Sequence, residues 1–317
     1  MKVGVPVIST NEGELLRHSL PTALAQDDVE VVVLDNASDD CTAEVAREHG
    51  VRCVRFEARL SWPRAMNQSL DHVGGDAVLF MQPDCFLTPG FVASLRSRLG
   101  EPDVGCVAPK LIQTQGPRPE QRLDAIDTAV MVIDSRRKNV LVGHGRPSLT
   151  FERPSEVFGA DGAAALYRRE TLDDATVDGH VVDEDLVTWG SDADLAWRVR
   201  LLGWRCVYEP SAVAYHMRTY SPSTRAQMPK WDRMMQFRNR YLMVVKNDPL
   251  PALVRDLPRI LAYEVLALGF ALLRERHLLR GYVGAARLLP RMLRRRAELQ
   301  QRRQGSSALP YGLEPPA

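Results

Sequence analysis

Hydrophobic and polar positions in the first hundred residues follow two periods that alternate along the chain. Apolar, β-branched runs typical of strands occupy residues 3–8, 29–34, 51–56 and 77–81. Stretches with apolar residues at helical spacing occupy residues 12–25, 42–49, 64–72 and 89–99. Such alternation is typical of βαβ units, so the sequence predicts an α/β fold with a Rossmann-like, mostly parallel sheet.

The middle of the chain has a weaker pattern that sharpens after Phe158. Pro and Gly clusters between residues 106 and 149 predict loops and a small antiparallel patch, with a short strand at 130–133. The elements predicted after a Gly-rich turn are a strand at 163–167, a helix at 192–202 and a strand from 205 toward His216. Ser191, with Asp194 three residues later, predicts a capping box at the start of that helix.

The last hundred residues differ in pattern, because amphipathic stretches near 231–245 and 257–273 predict helices. Between residues 274 and 303, ten arginines face two glutamates. The tail at 304–317 is rich in Gly, Ser and Pro and is predicted to be disordered. The sequence therefore predicts an α/β domain at 1–217, a helical basic region at 218–303 and this tail.

Composition narrows the class of protein. Lys and Arg total 41 against 40 acids in 317 residues, so the net charge of +1 provides no overall field for binding nucleic acid. Five scattered cysteines without C-x-x-C spacing exclude a cysteine zinc site and predict free thiols in a reducing cytosol. The longest nearly apolar stretch, residues 260–273, is short of the about 20 residues that span a bilayer. These features predict a cytoplasmic protein that is soluble or lies on the inner face of the plasma membrane.

Acidic residues follow two of the predicted strands. Asp35 and Asp84 lie at carboxyl ends, where ligands of open parallel sheets bind. Asp35 could accept hydrogen bonds from a nucleobase or a ribose, and Asp84 could hold Mg²⁺ or Mn²⁺, which prefer oxygen ligands. Alternatively, both are turn residues.

Two further residues could carry chemistry. Asp192, at the start of a helix, could point into a cleft as a general base, or it could only stabilise the helix terminus. His216, at the end of a strand, could be a metal ligand or a hydrogen-bonded core histidine.

In their order along the chain, these segments resemble the family 2 glycosyltransferases with a GT-A fold, particularly the rhamnosyltransferase-like branch that builds bacterial surface polysaccharides. The resemblance covers about residues 3–246. The motifs that carry it are residues 5–7 with Asn11, VVVLDNASDD at 31–40, AMN at 65–67, QPD at 82–84, FGADGAAALYRR at 158–169, SDADLAWR at 191–198, GW at 203–204 and PSAVAYH at 210–216.

The resemblance implies a role for each matching residue. Asp35 is implied to recognise the base, Asp84 to be the retained acid of the DxD-type motif, Asp192 to be the catalytic base, and His216 to complete a Mn²⁺ or Mg²⁺ site with Asp84. The residues implied to contact the nucleotide are Pro6, Asn11, Asp35, Arg64, Asn67 and Asp84. Those implied to lie beside the sugar or the acceptor are Asp161, Gly162, Trp189 and Ser191.

The resemblance also implies the reaction, an inverting transfer from a dTDP- or UDP-sugar to a glycan or lipid-linked acceptor, with rhamnose as one candidate sugar. The sequence departs from the family pattern at Gln82, which replaces the first acid of the DxD-type motif, at Ser191, where the family often has Glu, and at residues 59–62. The Arg-rich helices could dock on an anionic membrane leaflet, or they could form a solvated basic face or a partner interface.

Three rival functions make different demands on the sequence. A sugar nucleotidyltransferase should have a Gly-rich phosphate loop after the first strand, where this chain has Ser9, Thr10, Asn11 and Glu12. An NAD-linked oxidoreductase needs G-x-G-x-x-G there, and the chain lacks it. A catalytically silent nucleotide-sugar-binding module of a polysaccharide assembly complex would keep the pocket without the base, and it remains the alternative to the enzyme.

Overall fold

The N-terminal third alternates strands and helices, in a computed structural model that describes residues 1–303 and 310–317. Its elements are β1 Val3–Ser9, α1 Gly13–Leu24, β2 Val29–Asp35, α2 Thr42–Glu48, β3 Arg52–Arg55, α3 Trp62–Ser69, β4 Ala77–Met81, β5 Cys85–Leu87 and α4 Phe91–Arg98. Strands β3, β2, β1 and β4 are neighbours and pair in parallel. The α/β fold predicted from the hydrophobic pattern is therefore confirmed.

The following segment widens this sheet with strands of both directions. Its elements are β6 Val104–Thr114, β7 Arg122–Thr128, β8 Val130–Ile133, β9 Asn139–Val142, β10 Ser155–Val157, β11 Ala164–Arg168, α5 Arg169–Asp174, α6 Ser191–Leu201 and β12 Arg205–His216. Within the described residues, ten strands form one sheet in the order β10-β12-β6-β11-β4-β1-β2-β3, with β5 on β12 and β7 on β6. Strand β11 runs antiparallel to both of its neighbours, β4 and β6.

Strand β6 corrects the sequence analysis, which predicted loops after residue 106. It pairs in parallel with β12 near the centre of the sheet. Nearly all of its side chains are buried, including the Lys110 ammonium, which donates to Ser148 O at 3.0 Å. Its sequence contains Gly105, Pro109 and Lys110, which interrupt the apolar, β-branched run that identifies the other buried strands. The antiparallel patch is confirmed by the β8–β9 hairpin.

Hydrophobic side chains cover both faces of the sheet. Leu16 and Leu20 of α1 are fully buried on one face, and Trp197 of α6 is fully buried on the other. Burying such a side chain contributes about 1.5–3 kcal/mol, so these contacts fix the helices on the sheet. All five cysteines have free thiols, as predicted.

Three helices follow the sheet: α7 Lys230–Asn247, α8 Leu250–Leu273 and α9 Leu279–Arg302. Buried ion pairs hold them to the α/β domain. The Lys246 ammonium of α7 contacts the carboxylates of Asp183 and Asp194, and the Arg295 guanidinium of α9 lies 2.6 Å from Asp183. A charge buried in this way must stay paired, so these helices have a defined position on the domain.

Four of the arginines that the sequence offers for membrane docking bond other parts of the protein instead. Arg291 and Arg295 pair with acids of the loop before α6, while Arg296 and Arg302 donate to backbone carbonyls. The charge count of α9 therefore overstates the positive charge available at its surface. In the part of the chain that the structure describes, no helix is long and apolar enough to cross a membrane.

The tail departs from the predicted disorder where the structure describes it. The Tyr311 hydroxyl donates to Asp248 at 2.6 Å, and its ring lies 5.6 Å from the ring of Trp197. The Arg137 guanidinium stacks on the other side at 3.8 Å from the ring centroid. The contacts of Tyr311 thus hold this segment in place, although the composition of the tail predicted disorder. Residues 304–309, also part of that prediction, lie outside the described residues.

Candidate active site

The polar cluster at the carboxyl edge of the sheet begins with Asp84 and His216. Asp84 follows β4 and directly precedes β5, and β5 pairs with the last residues of β12 so that Cys85 lies opposite His216. The backbone N–H of Met217 also donates to Asp84 O at 3.0 Å. Strand pairing therefore brings together two residues that are 132 positions apart in the sequence.

His216 is buried between two carboxylates. Its Nε2 lies 3.4 Å from Asp84 Oδ1, and its Nδ1 lies 2.8 Å from Asp127 Oδ2. Burial opposes a charge on the imidazole, but the two carboxylates outweigh it and raise the pKa of His216 to about 10. Asp127 thus orients the ring and leaves Nε2 directed at Asp84.

Asp84 and His216 fit a divalent cation that takes the place of the imidazole proton at Nε2, because a metal ion binds the neutral ring and releases that proton. Asp84 Oδ1 is buried and has no hydrogen-bond partner in the described structure, as expected of an oxygen that ligates an ion. A carboxylate supporting a ligand histidine, here Asp127, is a common outer-shell arrangement. No group of three or more His, Cys, Asp or Glu side chains suited to a metal occurs among the described residues, so water and the phosphates of a substrate would supply other ligands.

Arg218 connects this cluster to a further acid, Asp161. Its guanidinium contacts Asp127 at 2.7 Å and Asp161 at 2.8 Å. Although burial opposes ionisation of Asp127, His216 and Arg218 lower its pKa below the usual range. The sequence analysis missed both Asp127 and Arg218. The signals were an acid near the end of β7 and a cation two residues after His216, and neither shows its partner in the linear sequence.

Asp192 lies close to Asp161 and to the Gly-rich turn. Its carboxylate accepts the N–H of Ala193 at 2.8 Å and the N–H of Gly162 at 3.3 Å. Burial and the charge of Asp161 raise the pKa of Asp192 to about 6 despite these two donors. A carboxylate with such a pKa is ionised at neutral pH and still basic enough to accept a proton.

Glycine at position 162 leaves room for the Asp192 side chain. A Cβ there would lie 3.3 Å from the Cβ of Asp192, closer than most such contacts. The bare backbone therefore lets the Gly-rich turn approach the carboxylate and donate to it. The neighbouring Asp161 is nearly buried and accepts the N–H of Ala163 at 2.9 Å.

The start of α6 differs from the predicted capping box. The N-cap is Gly190 with φ +83°, Ser191 is the first helical residue, and no side chain caps the helix. Asp194 instead pairs with Arg198 at 2.9 Å and with Lys246. The capping-box prediction is wrong because the buried cations bind this acid more strongly than a backbone N–H does. Ser191 Oγ is buried and unpartnered in the described structure.

The loop before α6 has strained backbone. Val187 has φ +62° and ψ −54°, and the N–H of Thr188 bonds Leu186 O around it, which is a γ-turn. Trp189 also has positive φ, at +64°, and its indole N–H donates to Asp232 at 3.0 Å. Such conformations persist only where the surroundings impose them.

Asn239 of α7 imposes the shape of this loop. Its buried side-chain amide donates to the carbonyls of Leu186, Thr188 and Trp189 at 2.7, 2.7 and 2.9 Å. The sequence analysis did not single out Asn239, because its partners lie about 50 residues away. Helix α7 thereby sets the path of the chain into Asp192.

Of the residues predicted to contact the nucleotide, Asp35 ends β2 and Asn11 follows β1, whereas Asp84 follows β4, and Arg64 and Asn67 belong to α3. Asp35 is fully buried, accepts the N–H of Ser38 at 2.8 Å and pairs with Arg55 at 2.6 Å. Asn11 is exposed beside it and accepts the N–H of Asp39 at 2.8 Å. Pro6 is buried within β1, three residues before the strand ends, and the structure does not bring it to this edge.

Arg64 and Asn67 contact the protein itself. Arg64 Nε lies 3.0 Å from Glu184, and the Asn67 side chain bonds both N–H and C=O of Val182 at 2.8 and 2.9 Å. Arg64 is exposed, so it can leave Glu184, whereas Asn67 mainly positions the acidic loop. Glu12, at the end of β1, was not predicted as a site residue. Burial and the charge of Asp84 raise its pKa to about 7.

The α/β sheet with acids at its carboxyl edge defines a ligand-binding fold of the GT-A type, and comparison with known families agrees. The profile described as Glycosyl transferase family 2 matches residues 5–175. The chain therefore belongs to glycosyl transferase family 2, as the motifs indicated.

The alignments with curated relatives cover only part of the length of each relative. An uncharacterized protein of Mycobacterium tuberculosis, MT1568, is 30% identical over 183 residues, which are 55% of each chain. The pre-mycofactocin glycosyltransferase of the same species is 28% identical over 206 residues, which are 63% of this chain and 39% of that protein. The chain thus spans about half, or less, of the length of these relatives.

Solved structures support the GT-A fold. The mannosyltransferase PcManGT from Pyrobaculum calidifontis, in complex with GDP-Man and Mn²⁺, superposes with a TM-score of 0.55 and 19% identity over 91% of this chain and 87% of that chain. TarS 1-349 from S. aureus, in complex with UDP-GlcNAc, gives 0.61 and 18% identity over 95% and 89%. At such identities the likeness shows the fold alone.

Proposed function

We propose that this protein transfers a sugar from a nucleoside-diphosphate donor to a hydroxyl of a glycan or lipid-linked acceptor, with inversion at the anomeric carbon. The observation that carries the proposal is the position of Asp192, with a pKa of about 6, next to a cluster in which Asp84 and His216 fit a cation. These groups meet at the carboxyl edge of the sheet, where such folds bind ligands.

Asp192 acts as general base in the proposed reaction. The acceptor oxygen attacks the anomeric carbon on the face opposite the leaving group and gives its proton to the Asp192 carboxylate. The bond from the anomeric carbon to the diphosphate oxygen breaks, and the nucleoside diphosphate leaves with that electron pair. General-base assistance of this kind is typically worth about 10²–10⁴ in rate.

Asp84 and His216 would hold Mn²⁺ or Mg²⁺, which when bound supplies positive charge beside the donor diphosphate. The orphaned Asp84 Oδ1 and the pairing of His216 with Asp127 support these two ligands. Gln82, an amide in the place of the family's first acid, leaves Asp84 as the carboxylate of this motif.

We propose a dTDP- or UDP-sugar as donor, with rhamnose as the transferred sugar, following the rhamnosyltransferase-like motifs. Related structures hold other donors, GDP-Man and UDP-GlcNAc. Asp35 would accept the imide N–H of the base after Arg55 moves aside, which can happen because about half of the Arg55 side chain is exposed to solvent. Asn11 and Arg64 would contact the nucleotide from the surface of the same edge.

Asp161, Gly162, Trp189 and Ser191 would surround the sugar and the acceptor, because each adjoins Asp192 in space or in sequence. An acceptor of a cell-wall or polysaccharide pathway, lipid-linked at the inner face of the plasma membrane, is proposed from the same resemblance. The alternative, a catalytically silent binding module, needs no carboxylate with a pKa near neutrality, so the raised pKa of Asp192 favours the enzyme.

Donor binding tests this proposal directly. We expect dTDP-rhamnose or a UDP-sugar to raise the melting temperature in the presence of Mn²⁺ or Mg²⁺, and GDP-mannose serves as a third donor in the same screen. Asp84→Asn should weaken metal-dependent binding at least tenfold in calorimetry, while Asp71→Asn, at an exposed site away from the cluster, should not. If Asp84→Asn binds the donor as tightly as the wild type with Mn²⁺, the proposed metal site is wrong.

A further inference from the structure

Helix α8 exposes an unusually apolar surface. From residue 261 to residue 273 its only polar side chains are Tyr263 and Glu264, yet only Ala271 in this stretch is fully buried. Val265, Leu266 and Leu273 are 71%, 72% and 83% exposed. Contiguous apolar surface of this kind marks a contact with a protein or a membrane.

The shape of the exposed surface favours a flat partner. At 100° per residue, the exposed positions from Leu261 to Leu273 spread over about half of the helix circumference. A coiled-coil partner would need only the narrow seam of a and d positions. At 1.5 Å per residue, the apolar stretch is about 20 Å long, so it suits a helix lying in an interface better than one crossing it.

Charges around this surface are of one sign. The acids of α8 and of the turn after it are held by arginines of other elements: Asp256 by Arg137, Glu264 by Arg240, and Glu275 by Arg225 and Arg233. Arg255 and Arg259 also contact Asp256, at 2.8 and 3.5 Å, but they are about half and two thirds exposed, and by helical geometry they lie on the same side as Leu266. The surface therefore offers apolar groups and cations together.

This combination distinguishes a lipid surface from a second copy of the chain. A symmetric dimer through α8 would bring the same cationic, carboxylate-poor surface against itself. An anionic bilayer instead accepts the apolar side chains among its acyl chains and pairs its headgroups with the arginines.

We propose that α8 lies in the interface of an anionic membrane, with residues 261–273 inserted and Arg255 and Arg259 at the headgroups. Docking would thus depend chiefly on the apolar face of α8, while Arg291, Arg295 and other arginines of α9 serve intramolecular contacts. This inference deepens the proposed function and rests on it, since it gives a lipid-linked acceptor a place beside the enzyme.

Vesicle flotation of the 317-residue chain without nucleotide tests the inference. We expect the protein to float with vesicles of phosphatidylcholine and phosphatidylglycerol and much less with phosphatidylcholine alone. Leu266→Asp should lower binding to the anionic vesicles at least tenfold. Leu149→Asp is the matched control, because Leu149 is 80% exposed in a loop of the α/β domain, and it should bind like the wild type. Arg259→Gln should reduce binding to anionic vesicles about fivefold.

Three results would overturn the inference: a wild-type protein that does not float, a Leu266→Asp variant that floats equally well, or a wild-type dimer in sedimentation that Leu266→Asp dissociates. Circular dichroism establishes that each variant is folded. Because donor binding is measured separately in solution, a failure of flotation leaves the proposed transfer intact, and a failure of donor binding leaves the lipid surface intact.

Discussion

Replacing Asp192 by asparagine separates proton transfer from binding. Asparagine keeps the shape of the side chain, and its single carbonyl oxygen can still accept the N–H of Ala193, but its NH2 group can accept neither the N–H of Gly162 nor the acceptor's proton. We expect kcat to fall by about 10²–10⁴, with donor affinity nearly unchanged. Asp173→Asn, on the exposed side of α5, is the control and should keep full activity.

The pH dependence of the wild-type reaction rate gives a second quantitative test of the role of Asp192. With a pKa of about 6, Asp192 is about 90% ionised at pH 7 and about 10% ionised at pH 5. The rate with bound substrates should therefore fall about tenfold between pH 7 and pH 5, and it should approach a tenfold fall per pH unit only below about pH 5. A solvated aspartate, with its pKa near 4, would keep the rate constant down to about pH 5.

The free energy of unfolding should fall as the pH rises, whereas the reaction rate should increase. Because the folded state binds the Asp192 proton more tightly than the unfolded chain, ionisation costs stability as the pH rises from about 4 through 6. Asp192→Asn should consequently raise the melting temperature at pH 7 to 8, and the gain should vanish below about pH 4.

A transfer assay over pH 5 to 8 and thermal unfolding over pH 4 to 8 measure both effects. Full turnover in Asp192→Asn would show that another group takes the proton. A rate that stays constant between pH 5 and 7 would refute the raised pKa, even if the variant were inactive.

Two other substitutions probe the contacts that position the site. Asn239→Leu, which removes three hydrogen bonds to the loop before α6, should lower kcat at least tenfold with little change in the donor dissociation constant, and an unchanged kcat would show that the strained loop needs no clamp. Arg137→Ala leaves the buried carboxylate of Asp248 without a cation and removes one of three arginines from Asp256, so the free energy of unfolding in urea should fall by about 3–5 kcal/mol, and Arg137→Lys should lose less.

Local patterns in the sequence were enough for the elements of the first hundred residues and for several site positions, although they missed β6. The β-branched runs that end at Asp35 and before Asp84, and the strand that ends at His216, are sufficient to predict that these residues lie at the carboxyl edge. This is possible because strand and helix periods are local properties, and because all parallel strands present their carboxyl ends at the same edge.

Contacts between distant segments were decided only by the tertiary structure. Asp127 and Arg218 are 91 residues apart, and the pairing of Arg55 over Asp35 and of Lys246 with Asp194 is equally invisible in a local window. The strength of a buried ion pair depends on which charges the fold excludes from water together. The sequence by itself therefore determined where acids could meet a ligand, and the packing decided which of them remain free, which are neutralised and which have a shifted pKa.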